Sequence, residues 1–199
     1  TQGGEAAALQ ADVLDQAQIL NVMAHIRQRY GRLDILVSNA AVGWLEKSLE
    51  QLSWEDFSRE VNSELKAAFD LTQAVLPMMC EQRYGRLIYM ASNLMTHTLP
   101  NTIASSTAKA ALAAFMRNVA SEYGPLGITA NAVAPAMVST EHNQYLPHST
   151  LEAIEHYTPL RRIATPEDVA GVVAFLASPD SAFMTGTCLV VDGGKTLAA

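Results

Sequence analysis

The chain has 199 residues, 49% of them hydrophobic and 17% charged, a size and balance that fit one domain, residues 1–199, around a single core. Its formal net charge of −7 disfavours nucleic-acid binding, which requires a basic face. No apolar run reaches the ~20 residues of a membrane span and no secretory signal is read, so a cytoplasmic protein is expected, with Cys80 and Cys188 as unpaired thiols in a reducing compartment.

Strand and helix signals alternate, which predicts an α/β fold with a parallel sheet covered on both faces. Leu9–Val13 reads as a short strand. Asp15 can cap a helix in which Ile19, Leu20, Val22, Met23 and Ile26 recur at helical spacing until Gly31 stops it. Leu33–Ser38 is nearly continuous in apolar residues and reads as a buried strand. A long helix follows from about Trp54 to Gln82, which Pro77 is expected to kink or to end one residue earlier. Leu87–Ala91 is the next strand. The helix Ser105–Tyr123 is rich in small residues between Ala108 and Ala114, which admit either a second helix at close range or this chain's own sheet. His25, His97, His142, His148 and His156 are scattered without ligand spacing, so no metal site is expected.

Several segments then follow one another in a telling order. Gly31–Ala41 reads GRLDILVSNAA, Gly85–Ser92 reads GRLIYMAS, Asn131–Thr140 reads NAVAPAMVST, Thr165–Ala170 reads TPEDVA and Thr185–Gly194 reads TGTCLVVDGG. With Glu5–Val13 before them, these segments resemble the short-chain dehydrogenase/reductase family over nearly the whole chain. The resemblance implies a Rossmann-like, doubly wound parallel sheet truncated at the N-terminus. The family's first two strands and helices, with the glycine-rich turn that holds a dinucleotide pyrophosphate, have no counterpart in residues 1–199. Gly3 and Gly4 match the loop before its third strand. Leu9–Val13 is then expected either to pair beside Leu33–Ser38, the favoured outcome and a five-stranded sheet, or to leave its backbone groups unpaired.

The resemblance also implies NAD or NADP as cofactor. Asp12 and Val13 match the adenine region, Asn39 and Ala40 the adenosine ribose region, and Lys109 the nicotinamide ribose. Pro135 matches the start of the nicotinamide loop, with Ala136 in place of the family's glycine, and Thr140 the carboxamide contact. A dimer or tetramer is implied too, with itself or with an active relative, through a bundle of the Trp54–Gln82 and Ser105–Tyr123 helices.

For the chemistry, Ser92 matches the family's catalytic serine and Lys109 its lysine. Ser105, four residues before Lys109, stands where the family carries the tyrosine that exchanges a proton with substrate, and Thr102 stands where enoyl reductases of the superfamily carry theirs. A phenol titrates near ~10 and can be lowered by an ammonium, whereas an aliphatic alcohol is far less acidic. Glu64 takes the place of the family's asparagine, either as Lys109's ion-pair partner or as a solvated carboxylate, and Asn62 is expected to face elsewhere. Tyr145, in the segment matching the substrate lid, is a candidate substitute donor, and Ser105 with Lys109 forms an i, i+4 pair of serine–lysine type. The favoured expectation is a pseudoenzyme subunit. The alternatives are an active NAD(P)-dependent ketoacyl or enoyl reductase or alcohol dehydrogenase with another donor, and a module that binds a nucleotide or acyl ligand without turnover.

Overall fold

The computed structural model describes residues 4–40, 43, 45–141 and 146–198. Helix boundaries follow local chemistry. Asp15 accepts from the N–H groups of Ala17 and Gln18, and Gly31 at φ 70° closes the other end, so α1 spans Gln16–Tyr30. After β1, Ile35–Ser38, the Ser53 hydroxyl caps α2, Trp54–Gln82. The helix does not end at Pro77: α2 runs through it, because Thr72, Val75 and Leu76 before it and Met78 and Met79 after it are all buried and hold the helix against the core. Then come β2 (Gly85–Met90), a 3-10 turn at Asn93–Met95, α3 (Ile103–Tyr123) and β3 (Ile128–Pro135). Helix α4 (His148–Tyr157) has no counterpart among the expected elements. Helix α5 (Pro166–Ala177) opens with a reciprocal Thr165–Asp168 capping box, and β4 (Cys188–Val191) completes the set.

The four strands form one parallel sheet in the order β1-β2-β3-β4. Parallel neighbours require crossovers, and the intervening helices cover both faces. One face buries Leu87, Tyr89, Ala130, Ala132 and Ala134 against Val75 and Met79 of α2 and Leu112 and Met116 of α3. The other buries Ile88 and Val133 against Val169 and Leu176 of α5. That second cover stops short of β1, where Ile35 and Val37 remain 38% and 41% exposed. Two glycines permit close approach. A Cβ on Gly85 would lie 2.4 Å from Met79 Sδ, and one on Gly127, which has φ +79°, would lie 2.3 Å from the Arg83 carbonyl oxygen.

Leu9–Val13 is not a strand, and the favoured five-stranded sheet is corrected to four strands among the described residues. The cause is local. The Asp12 carboxylate accepts the Leu14 N–H at 2.8 Å, and the Asp15 N–H bonds to the Asp12 carbonyl at 3.0 Å, so the chain turns where a ladder would have to continue. Lys66 then holds the Leu14 carbonyl at 3.0 Å, and Arg27 reaches Glu81 at 3.2 Å, which lashes α1 and its entry to α2.

Candidate active site

In an open parallel sheet, ligands sit outside the carboxyl ends of the strands. At that end lie Asn39 and Ala40 after β1, Ser92 after β2 and Pro135 at the end of β3. Ser92 is half-buried in extended backbone, and its hydroxyl accepts the Leu94 N–H at 3.2 Å, capping the turn that follows.

A set of polar contacts joins the helices beside that end. Helices α2 and α3 follow successive parallel strands, so they run in the same direction and equivalent turns face each other. On one turn the Lys109 ammonium meets Glu64 Oε1 at 2.6 Å and the Met90 carbonyl oxygen at 2.9 Å. One turn earlier on both helices, the Ser105 hydroxyl donates to Glu60 Oε1. The side chains of Lys109 and Glu64 are 22% and 16% exposed, so their ion pair is largely withdrawn from water. Ser105 is buried, and Glu60 Oε2 is a buried atom without a hydrogen-bond partner. Of the two readings left open for Glu64, the ion pair is the one adopted. Asn62 is exposed on another side of α2.

Glu60 was not among the expected site residues. Its signal is present in the spacing: Glu60 and Glu64 are i, i+4 on α2, as Ser105 and Lys109 are on α3. Only the parallel docking of the helices turns two separate spacings into two matched rungs.

The remaining candidates stand apart from this ladder. Asp12 is exposed and engaged with its own turn, and Val13 is half-buried beside it. Asn39, Ala40 and Thr140 are exposed, while Pro135 and Ala136 are half-buried. Thr102 is buried, with its hydroxyl on the Leu99 carbonyl at 2.8 Å and near the Ser106 hydroxyl at 3.1 Å, so it turns away from Ser105. Among the described residues no tyrosine hydroxyl bonds to Ser92, Ser105 or Lys109. Among the described tyrosines Tyr89 is the one buried in the core, where its hydroxyl meets Thr72 Oγ1 at 2.7 Å. Burial pushes its pKa up to about 12 against the opposing Thr72 bond, so it stays protonated at neutral pH. Tyr145 and His142 lie outside the described residues. Among the described residues no three His, Cys, Asp or Glu side chains gather as a metal site, and no helix is long and apolar enough to cross a membrane.

Residues 1–196 match the family model described as enoyl-(acyl carrier protein) reductase. Oxidoreductase UcpA of Salmonella typhimurium is 36% identical over 207 residues, covering 98% of this chain and 78% of that protein. The chain belongs to the short-chain dehydrogenase/reductase family. Within this family, the 3-oxoacyl-[acyl-carrier-protein] reductase FabG of Thermotoga maritima is 34% identical over 186 residues, covering 94% of the chain and 75% of that protein. Among solved structures, ElxO with NADP bound superposes with a TM-score of 0.89 at 29% identity, over 95% of this chain and 77% of that one. A gluconate 5-dehydrogenase from Burkholderia cenocepacia in complex with NADP and tartrate gives 0.88 at 28% identity, over 95% and 74%. The α/β, Rossmann-like parallel sheet expected from the family's segments is the fold observed, and the short-chain dehydrogenase/reductase segments at β1, β2, β3, α5 and β4 fall on the elements they match.

Proposed function

We propose that this chain is a non-catalytic member of the short-chain dehydrogenase/reductase family, a pseudoenzyme that serves as a subunit with itself or with an active relative. The observation that carries the reading is the two-rung ladder. Ser105 stands at the tyrosine position and spends its only proton on Glu60, and Lys109 spends its charge on Glu64 and the Met90 carbonyl. A serine hydroxyl is also shorter than a tyrosine's by a ring, and a misplacement of ~1 Å already costs about 100-fold in rate. The four groups hold protons where they are and tie two helices together.

The strand ends retain a partial fit to NAD or NADP. Asn39, Ala40, Pro135 and Thr140 lie around the carboxyl end of the sheet, and one N–H of the Lys109 ammonium remains beyond its two bonds. When bound, the nucleotide would supply hydride chemistry, but Ser92 alone, already capping its own turn, leaves proton exchange with substrate without an acid.

The test uses the purified chain with NADH and NADPH against acetoacetyl and crotonyl thioesters, beside light scattering for assembly state. The expected result is no oxidation above background and a dimer, a tetramer or a complex with an active relative from the same source. Turnover that disappears in Lys109→Ala would overturn the reading. So would a chain that stays monomeric both alone and with such a relative.

One observation favours a second reading, an active ketoacyl or enoyl reductase or alcohol dehydrogenase. Ser92 and Lys109 keep the family's sequence positions, and the chain's relatives include an oxidoreductase and a 3-oxoacyl-[acyl-carrier-protein] reductase. That reading needs another proton donor, and Tyr145→Phe is the variant that would abolish its turnover.

A further inference from the structure

Beyond the α2–α3 ladder, the carboxyl ends of β3 and β4 border a second, partly open space. It has a volume of about 140 Å³ and lies between α4, the segment after β3 and the turn that follows β4. It shares no lining residue with Ser92, Ser105, Lys109 or either glutamate. Met137, Ile154, Leu160 and Ile163 give it apolar walls.

The charged residues around it are not equivalent. Asp168 is spoken for: Arg162 grips it with two nitrogens, one at 2.8 Å, and the Thr165 N–H donates to it at 2.7 Å. Those contacts, Arg162 first, hold its carboxyl well below the usual carboxylate range. Asp192 is equally occupied, accepting from the Gly194 N–H at 2.9 Å, the Thr196 N–H at 2.8 Å and the Thr196 hydroxyl at 2.7 Å. Burial works against its charge, and those donors together still keep its pKa lowered. Lys195 is different. Its backbone N–H closes the turn onto the Asp192 carbonyl at 3.1 Å, but among the described residues its ammonium has no ion pair and no hydrogen bond. The chamber therefore combines apolar walls, two carboxylates that already have their donors, and one unspent cation.

We propose that this chamber binds a small aliphatic monocarboxylate, with Lys195 as its counter-cation and Met137, Ile154, Leu160 and Ile163 around its hydrocarbon tail. The size sets the scale: a cavity of roughly 150 Å³ takes benzene, roughly six heavy atoms, and butyrate has the same count. The charge sets the sign, because Arg162 answers Asp168 and the Gly194 and Thr196 donors answer Asp192, which leaves the Lys195 ammonium as the charge without a partner among the described lining residues. The apolar walls favour a hydrocarbon tail over a bare inorganic anion. Because Ile154 belongs to α4 and Lys195 to the C-terminal turn, the ligand would tie the two together.

The experiment is a titration of the ¹⁵N-labelled chain with sodium butyrate, followed by the amide shifts of Ile154, Gly193 and Lys195, with 1-butanol, butylammonium chloride and sodium chloride as parallel probes. Saturating shifts at these three amides are expected with butyrate, much weaker ones with butanol, and none with the cation or the salt. Lys195→Gln is expected to weaken butyrate by about tenfold or more, the loss of one charge-assisted hydrogen bond. Ala164→Leu, which adds bulk to the chamber lining, is expected to abolish the shifts while the far-ultraviolet spectrum stays that of the parent. Sodium chloride reproducing the butyrate shifts, or Lys195→Gln binding butyrate as well as the parent, overturns the proposal. Neither outcome depends on whether the chain turns over NAD(P)H, so this proposal and the pseudoenzyme reading fail separately.

Discussion

Helices α2 and α3 touch along two stretches that differ in kind. Toward their C-terminal halves the contact is apolar: Val75, Leu76 and Met79 of α2 share a core with Leu112, Met116 and Val119 of α3 over the sheet. Toward their N-terminal halves it is ionic and hydrogen-bonded, Glu60 with Ser105 and Glu64 with Lys109. The apolar stretch works by exclusion of water and tolerates exchange of one hydrophobe for another of like volume. The polar stretch works only if each group keeps its particular partner. One helix pair is therefore apolar packing at one end and, at the other, two rungs of paired polar groups.

The sharpest way to break the comparison begins in the apolar packing. Met79 is fully buried, so Met79→Ala is expected to cost about 2–5 kcal/mol, through lost transfer energy and the cavity left behind. Urea unfolding followed by fluorescence measures it. A loss below about 1 kcal/mol would mean that the apolar half does not carry the pair.

Lys109→Met comes next. It removes one partner of a mostly buried ion pair and leaves Glu64 with an unmet charge, so about 1.5–3 kcal/mol should be lost. The same urea series in a Glu64→Gln background should show a much smaller loss, since the charge that Lys109 answers is gone. Equal losses in the two backgrounds would mean that the rung is not a coupled unit. Ser105→Ala is smaller, about 1.5 kcal/mol, the low end for a single hydrogen bond to a charged group. Ser105→Tyr sharpens the functional side: it restores the ring but meets Glu60 where Ser105 did, so thioester reduction is expected to stay at background until Glu60 is also made smaller.

Much of this was legible beforehand because it is local. Asp15 as cap, Gly31 as stop and the apolar run at β1 require only neighbouring residues, and the segments from Gly31 to Gly194 kept the family's order. The misses have two causes, a local turn in one case and contact between distant parts of the chain in the others. Leu9–Val13 has strand composition, but Asp12 turns the backbone and Lys66, 52 residues from Leu14, anchors the turn. Pro77 has the composition of a break, but the core on both sides overrides it. The Glu64 ion pair was foreseen as one of two outcomes, while Glu60 was invisible until the 45-residue offset shared by both rungs was realised in space.

The smallest expected effect lies far from the ladder, at the cap of α5. Asp168 holds Arg162 and closes the Thr165 capping box, and Arg162 first, then the Thr165 N–H, lowers its pKa. A carboxylate whose folded pKa is depressed contributes stability that is present above its unfolded value near ~3.9 and is lost as pH falls through the folded one. The parent should therefore melt above Asp168→Asn at pH 6, and the gap should close as pH falls from about 4 toward 2. Because the pair is exposed to solvent, added salt should narrow the gap as well. A gap that persists unchanged at the acid end would place the effect in the cap's hydrogen bonds alone, which asparagine at that position would then be failing to reproduce.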